Sequence, residues 1–332
     1  MRKVSAVLLT VIMAAGLLVG CKSGDSSEGG SADNGKMKIM VASSDMSQSF
    51  YSWLANSTAE EFSKKYPDAE VTITDCAGDP SNVINFLEQA VTDKYKGVIM
   101  DKPDHEQDTK ELVEACEEAG CHVIFTNNTE VEDGIAQGVG LDNYPLGFTI
   151  GEVAAEKLPK NAKVLIVEST AGNQGCIDRT QGFLDAIKDA GRDDVEILDQ
   201  QAAGDWSKEK AMTVMEDFLQ KYDKFDAVYS LCDDMTCGCI EACANAGLDT
   251  KAIQFYGVDG LGNGCLSVKD GDMTATVLQN ADDIAAKAVE LWAGMEDGSI
   301  TDSKNYALDP TIITSDNVDE IIAMHKENGM MD

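Results

Sequence analysis

The chain has 332 residues, 43% of them hydrophobic, which is enough for one large packed body or two smaller lobes. Against 26 lysines and arginines stand 59 aspartates and glutamates, a formal net charge of -33, and so acidic a surface excludes nucleic acid and anionic lipid as ligands. The three histidines (His105, His122, His325) are scattered, with no HExxH pair, Walker loop, GxSxG elbow or EF-hand loop in the chain.

Arg2 and Lys3 open the chain and precede an uncharged, mostly apolar stretch at 7–19. That stretch is too short to span a bilayer but suits the core of a signal peptide, expected over residues 1–20. Leu18-Val19-Gly20-Cys21 resembles the bacterial lipobox, which implies cleavage before Cys21 and a lipid carried by that cysteine. Residues 22–35 are mostly serine, glycine and acidic groups. They bury too little to repay ordering, so 21–36 is expected to be a flexible, lipid-anchored tether. The expected address is the extracytoplasmic face of a cell membrane, of the Gram-positive type, where no outer membrane would retain a free protein.

From Lys38 onward short apolar runs alternate with amphipathic patterns. Runs at 39–42, 71–73, 97–100 and 122–125 read as strands. Between them, Val83, Ile84, Leu87 and Val91, then Leu112, Val113 and Cys116, recur at helical spacing. The same alternation returns at 163–167, 195–198, 227–231 and 253–256. Phe183, Ile187 and Ala190, then Met212, Met215 and Leu219, supply its helices. Strands alternating with helices make parallel sheets covered on both faces, and two successive arrays predict two similar α/β, doubly wound lobes with a cleft between them.

In such sheets ligands sit at the carboxyl ends of the strands. The segments there are 43–48, 101–104, 126–128, 169–175, 232–234 and 258–260. They carry hydroxyl, amide and carboxylate groups, no histidine, and Lys102 as their one lysine. A hydrolase with a histidine base is therefore excluded, while paired carboxylates such as Asp233 and Asp234 leave a secreted α/β hydrolase as a distant alternative. Nine cysteines follow Cys21, an odd number that cannot close a disulfide set. Cys232, Cys237, Cys239 and Cys243 fit no familiar zinc spacing and read as small core residues in a reducing habitat. Gly260-Leu261-Gly262-Asn263-Gly264 lacks dinucleotide spacing and reads as a loop.

Four segments, in order and at these separations, resemble the type I periplasmic sugar-binding proteins, the group of the ribose- and galactose-binding proteins of ABC importers. They are Ser43-Ser44-Asp45-Met46-Ser47-Gln48-Ser49-Phe50-Tyr51, Arg179-Thr180-Gln181-Gly182-Phe183, Asp233-Asp234-Met235 and Gly257-Val258-Asp259-Gly260. The resemblance covers nearly the whole chain after the tether. It implies two lobes joined by a three-segment hinge near Leu141, Gln279 and Asp309: residues 37–141 with 280–309, and 142–279 with 310–332. It also implies ligand contacts from Asp45, Gln48, Phe50, Tyr51, Asn127, Asn128, Asn173, Arg179, Trp206, Asp259 and Gln279. Trp206 matches the aromatic that stacks on a sugar face. Arg179 offers a planar fork of donors, and Asp259 an acceptor for adjacent hydroxyls. The Asn127-Asn128 pair stands where ribose-type proteins carry Asp-Arg, and Cys232 where relatives carry a polar group. The Asn pair leans away from ribose and, with Trp206, toward a hexose such as galactose or glucose; at Cys232 either the ligand lacks a hydroxyl or Asp233 takes over. Ribose, xylose, inositol, a nucleoside or a furanosyl signal stay open.

The resemblance thus implies a monomeric, non-enzymatic binding protein without cofactor or metal. It would capture a monosaccharide by hinge closure and deliver it to an ABC permease. The same module serving a chemoreceptor or sensor kinase is the alternative.

Overall fold

The computed structural model describes residues 35–103, 107–127, 131 and 136–331. The export segment, Cys21 and Asn128 lie outside the described residues. The first half begins with β1 (Lys38–Ser43), α1 (Ser49–Lys65), β2 (Glu70–Asp75) and α2 (Pro80–Thr92). It continues through β3 (Gly97–Met100), α3 (Lys110–Glu118), β4 (His122–Thr126), β5 (Gln137–Gly140) and α4 (Asn143–Lys157). The second half runs β6 (Lys163–Glu168), α5 (Gln174–Asp189), β7 (Glu196–Ala202), α6 (Lys208–Lys221), β8 (Ala227–Ser230), α7 (Asp233–Asn245) and β9 (Gln254–Tyr256). The chain ends with α8 (Gly262–Asp270), β10 (Thr276–Leu278), α9 (Ala281–Glu296), β11 (Asn305–Ala307), β12 (Thr311–Ile313) and α10 (Val318–Glu327).

These strands build two main sheets, ordered β11-β5-β4-β3-β1-β2 and β7-β6-β8-β9, with every pair parallel. β3, β5 and β8 are buried along their whole length, and β1 from Ile39 onward. That explains why β1, β3 and β8 read as unbroken apolar runs, whereas edge strand β2 alternates. In both sheets the order reverses at the first strand, β1 beside β2 and β3, and β6 beside β7 and β8. That reversal point is where an open α/β sheet leaves a crevice. A small antiparallel pair, β10 and β12, continues the second half through single bridges from Tyr256 and Asp259.

The chain passes between the halves three times: from β5 to α4, from β10 to α9, and from β11 to β12. After the first passage α4 lies on α5 so closely that a Cβ on Gly147 would stand 1.9 Å from the Arg179 carbonyl. After the second, α9 covers the first sheet, its Trp292 packed 5.2 Å from the Phe62 ring and donating to the Lys96 carbonyl at 3.0 Å. α10 bridges both halves. Its buried His325 sits 5.0 Å from the Trp53 ring of α1 while Nε2 lies 2.7 Å from the Gly260 carbonyl.

One expectation is corrected. Residues 262–264 are not loop but the opening turn of α8. Glycine is required there for closeness rather than flexibility: a Cβ on Gly264 would stand 2.3 Å from Asp233 Oδ2, and one on Gly262 2.9 Å from the Met331 side chain.

Candidate functional site

The carboxyl ends of both sheets face a cleft enclosing ≈ 380 Å³ of non-atom space, part of it open to solvent. Gln48, Ser49, Phe50 and Tyr51 line it from the start of α1, and Asn127 from the end of β4. Opposite them stand Arg179 of α5, Trp206 before α6, Cys232 and Asp234 at α7, Asp259 and Leu261 after β9, and Gln279 after β10.

Arg179 organises the second-half wall. It is 5% exposed. Nε donates to Asn143 Oδ1 at 2.8 Å, and Nη1 donates to the Leu231 carbonyl at 2.7 Å and to Asp259 Oδ1 at 3.4 Å. Its guanidinium also lies 5.2 Å from the centre of the Trp206 ring, a cation–π contact. Arg179 lines the cleft, and these bonds use its Nε and Nη1. Trp206 itself is half-buried and projects from a turn that Asp205 holds by accepting from the Ser207 amide at 2.8 Å.

Asp259 has a positive φ of 106°, a conformation costly for any residue with a Cβ. Its amide bonds to Val277 and its carbonyl accepts from Gln279, which over-determine the backbone. Burial pushes its carboxyl up to about 7, Arg179 pulls it back, and the charge of Asp234 raises it again. Gln279 is 1% exposed, and its buried Oε1 has no hydrogen-bond partner among the described residues. A buried acceptor left unpaired is costly, so it marks a place where a donor belongs.

From the first half, Phe50 and Tyr51 meet edge to face at 5.9 Å. Burial holds the Tyr51 hydroxyl well above its ordinary value, with Asp101 adding to it, so the group stays a neutral donor. Asn127 occupies the left-handed region at φ 54°, which asparagine tolerates better than most residues.

Two residues expected as contacts are not in this lining. Asp45 stands behind Gln48, accepting from its Nε2 at 3.1 Å and from the Ser47 amide at 2.9 Å. Partial burial would raise its carboxyl, but the bonds from Ser47 and Gln48 together hold it below its usual value. Asn173 is exposed and serves as N-cap of α5, accepting from the Cys176 amide at 3.1 Å. Asn128 lies outside the described residues.

Other lining residues were not expected. Ser49 donates to Asp234 Oδ2 at 2.8 Å across the cleft, and Asn263 donates to Asp234 Oδ1 at 2.6 Å. The Asp233-Asp234 pair is conspicuous in the sequence, but its division of labour is not. Asp233 is fully buried, with Thr276 Oγ1 at 2.6 Å and the Leu261 amide at 2.7 Å, and joins β10 to the β9 loop.

Two sheets of this order, a cleft at their reversal points and three chain passages between them define a two-lobed ligand-binding module. Residues 39–299 match the family model of the periplasmic binding protein domain, and the chain belongs to that family. Its members are solute-binding components of transport systems and not enzymes. The chain is 26% identical over 293 residues to the ribose import binding protein RbsB of Bacillus subtilis, covering 87% of this chain and 92% of that one. It is 34% identical over 159 residues to the D-allose-binding periplasmic protein of Escherichia coli, covering 48% of this chain and 50% of that one. Among solved structures, the Caulobacter myo-inositol binding protein bound to myo-inositol superposes with a TM-score of 0.77 at 26% identity, over 89% of this chain and 100% of that one. A solute binding protein of Actinobacillus succinogenes with bound D-allose gives a TM-score of 0.78 at 22% identity, covering 86% and 100%, a likeness of fold. No helix among the described residues is long and apolar enough to cross a membrane.

Proposed function

We propose that this protein captures a monosaccharide, a hexose first, between its two lobes and delivers it to an ABC permease, held at the outer membrane face by lipid on Cys21. The observation that carries the reading is the pairing of aromatic rings with unspent polar atoms in one cleft. Phe50 or Tyr51 and Trp206 line opposite walls, and the same cleft holds Arg179, Asp259 and Gln279, whose buried Oε1 has no partner among the described residues. A pyranose has an apolar C–H face for the rings and a rim of hydroxyls for the polar groups, and each buried hydroxyl must find one of them. Names of the relatives point the same way, since they include ribose, allose and myo-inositol binders.

In this reading residues 37–141 with 280–309 move as one body and 142–279 with 310–332 as the other. Ligand contacts from both favour closure, and the closed surface is what a permease distinguishes from the open one. Asn127, Asn128 and Gln48 complete the hydroxyl contacts from the first lobe, and Asp45 positions Gln48.

The test is a thermal-shift screen of the purified protein against monosaccharides, cyclitols and nucleosides. A ligand at about 100 times its Kd stabilises by about 2.7 kcal/mol, a clear rise in Tm. One or a few sugars should produce it, and Trp206→Ala and Asp259→Ala should abolish it. A shift from a nucleoside or another metabolite with silence from every sugar refutes the assignment.

A further inference from the structure

The cleft is not equally polar on all sides. Arg179, Asp259 and Gln279 present hydrogen-bonding atoms, but the wall at Cys232 presents a thiol. Its Sγ lies 3.6 Å from the Trp206 carbonyl, and the residue is 4% exposed. Sulfur is a weak donor and a weak acceptor, and this one already leans on a carbonyl. Burial first, and the charge of Asp259 next, push the thiol well above its ordinary value, so it offers no charge either.

Two neighbours could compensate, and both are already engaged elsewhere. Asp233 is buried behind the wall with both carboxylate oxygens engaged, one by Thr276 Oγ1 and one by the Leu261 amide. Asp234 reaches the cleft, but one oxygen accepts from Ser49 and the other from Asn263. Leu261, whose amide is spent on Asp233, adds an aliphatic side chain to the same wall.

We propose that Cys232 is a specificity-determining residue and that the preferred ligand is a deoxy sugar, whose C–H or methyl group faces the Cys232–Leu261 wall. The proposal rests on the sugar reading above. A fully hydroxylated parent would bury its extra hydroxyl against sulfur and aliphatic carbon. That loss of partners corresponds to a penalty of about 5- to 100-fold in affinity. The thiol therefore acts by omission: it withholds a partner from sugars that carry one hydroxyl too many.

The experiment is isothermal titration of the purified protein with matched pairs, each a hexose or pentose and its deoxy counterpart. The pairs are galactose and 6-deoxygalactose, mannose and 6-deoxymannose, glucose and 2-deoxyglucose, and ribose and 2-deoxyribose. At least one deoxy member should bind about tenfold or more tighter than its parent. Cys232→Ser, which replaces sulfur by a true hydrogen-bonding hydroxyl of similar size, should shrink that ratio at least about fivefold, with Tm measured to verify folding. Parents that bind as well as every deoxy partner, or a ratio unmoved in a folded Cys232→Ser protein, overturn the role of Cys232 and leave the sugar reading standing. Silence from every sugar overturns both.

Discussion

Acidification from about pH 8 to about pH 5 titrates Asp259, and ligand affinity should follow it. Burial sets the carboxyl at about 7, against 3.8 for an ordinary aspartate, and Arg179 at 3.4 Å only partly offsets that burial. A sugar hydroxyl that donates is held more strongly by the ionised carboxylate than by the neutral acid, so a slope of about tenfold per pH unit is the upper limit. Below about pH 7 each unit should then weaken binding about tenfold, reaching roughly 100-fold at about pH 5, or about 2.7 kcal/mol. Burial holds the Tyr51 hydroxyl and the Cys232 thiol well above their ordinary values and raises Asp233 as well, so Asp259→Asn is needed to separate the titration of Asp259 from that of Asp233. Folding stability runs the opposite way. A carboxyl raised in the folded state contributes stability fully present below about 4 and lost as pH rises through about 7, so the free protein gains from acidification while the complex loses. Titration calorimetry across this range supplies the profile. Asp259→Asn serves as control for the relaxation of a -33 charge, and it should bind weakly with a flat profile. A flat wild-type profile, or the same slope retained in Asp259→Asn, refutes the carboxylate as acceptor.

Three further outcomes are expected. Trp206→Ala removes a ring stacked beside Arg179 and should weaken binding about 10- to 100-fold by calorimetry, with little change in the Tm of the free protein because Trp206 is only half-buried. Ser49→Ala deletes the cross-cleft bond to Asp234, an exposed bond of about 0.5–1.5 kcal/mol, so stopped-flow dissociation should accelerate about 2- to 10-fold; an unchanged rate would mean the bond plays no part in closure. Gly147→Val drives a side chain into the Arg179 carbonyl and should lower the urea midpoint by the equivalent of about 3 kcal/mol, far more than the same change at exposed, open Gly172 apart from the strain of its positive φ.

The legibility of the chain followed burial. β1, β3, β6 and β8 are apolar over nearly their whole length because helices cover both faces, and their runs stand out in the sequence. β5 is Gln-Gly-Val-Gly, and β10, β11 and β12 have three residues each, too few to show any period. α1 interleaves Ser, Asn and Thr with its core residues, and what anchors it is distant: Trp53 donates to Asp282 Oδ1 at 3.0 Å. In the site, position at a strand end was readable, but the direction of a single side chain was not. Asn173 carries the chemistry of a contact and of an N-cap alike, and the Cys176 amide three residues on decided for the cap. Ser49 gained its place only through Asp234, 185 residues away. The run at 260–264 reads as a loop, but Gly264 is held in a helix by closeness to Asp233, which arrives from elsewhere in the fold.

Two of the cleft's polar groups stand on the joints of the molecule. Gln279 occupies the passage from β10 to α9, and Arg179 holds Asn143, the first residue after the passage from β5 to α4. If the proposed closure holds, a ligand gripped there would work like a hand beside a door's hinge pin: a small rotation at the grip would become a larger travel at the opposite edge. Dyes attached to exposed positions of the two halves, outside the cleft lining, would turn that travel into an optical signal, and so make the protein a reagent for measuring its own solute.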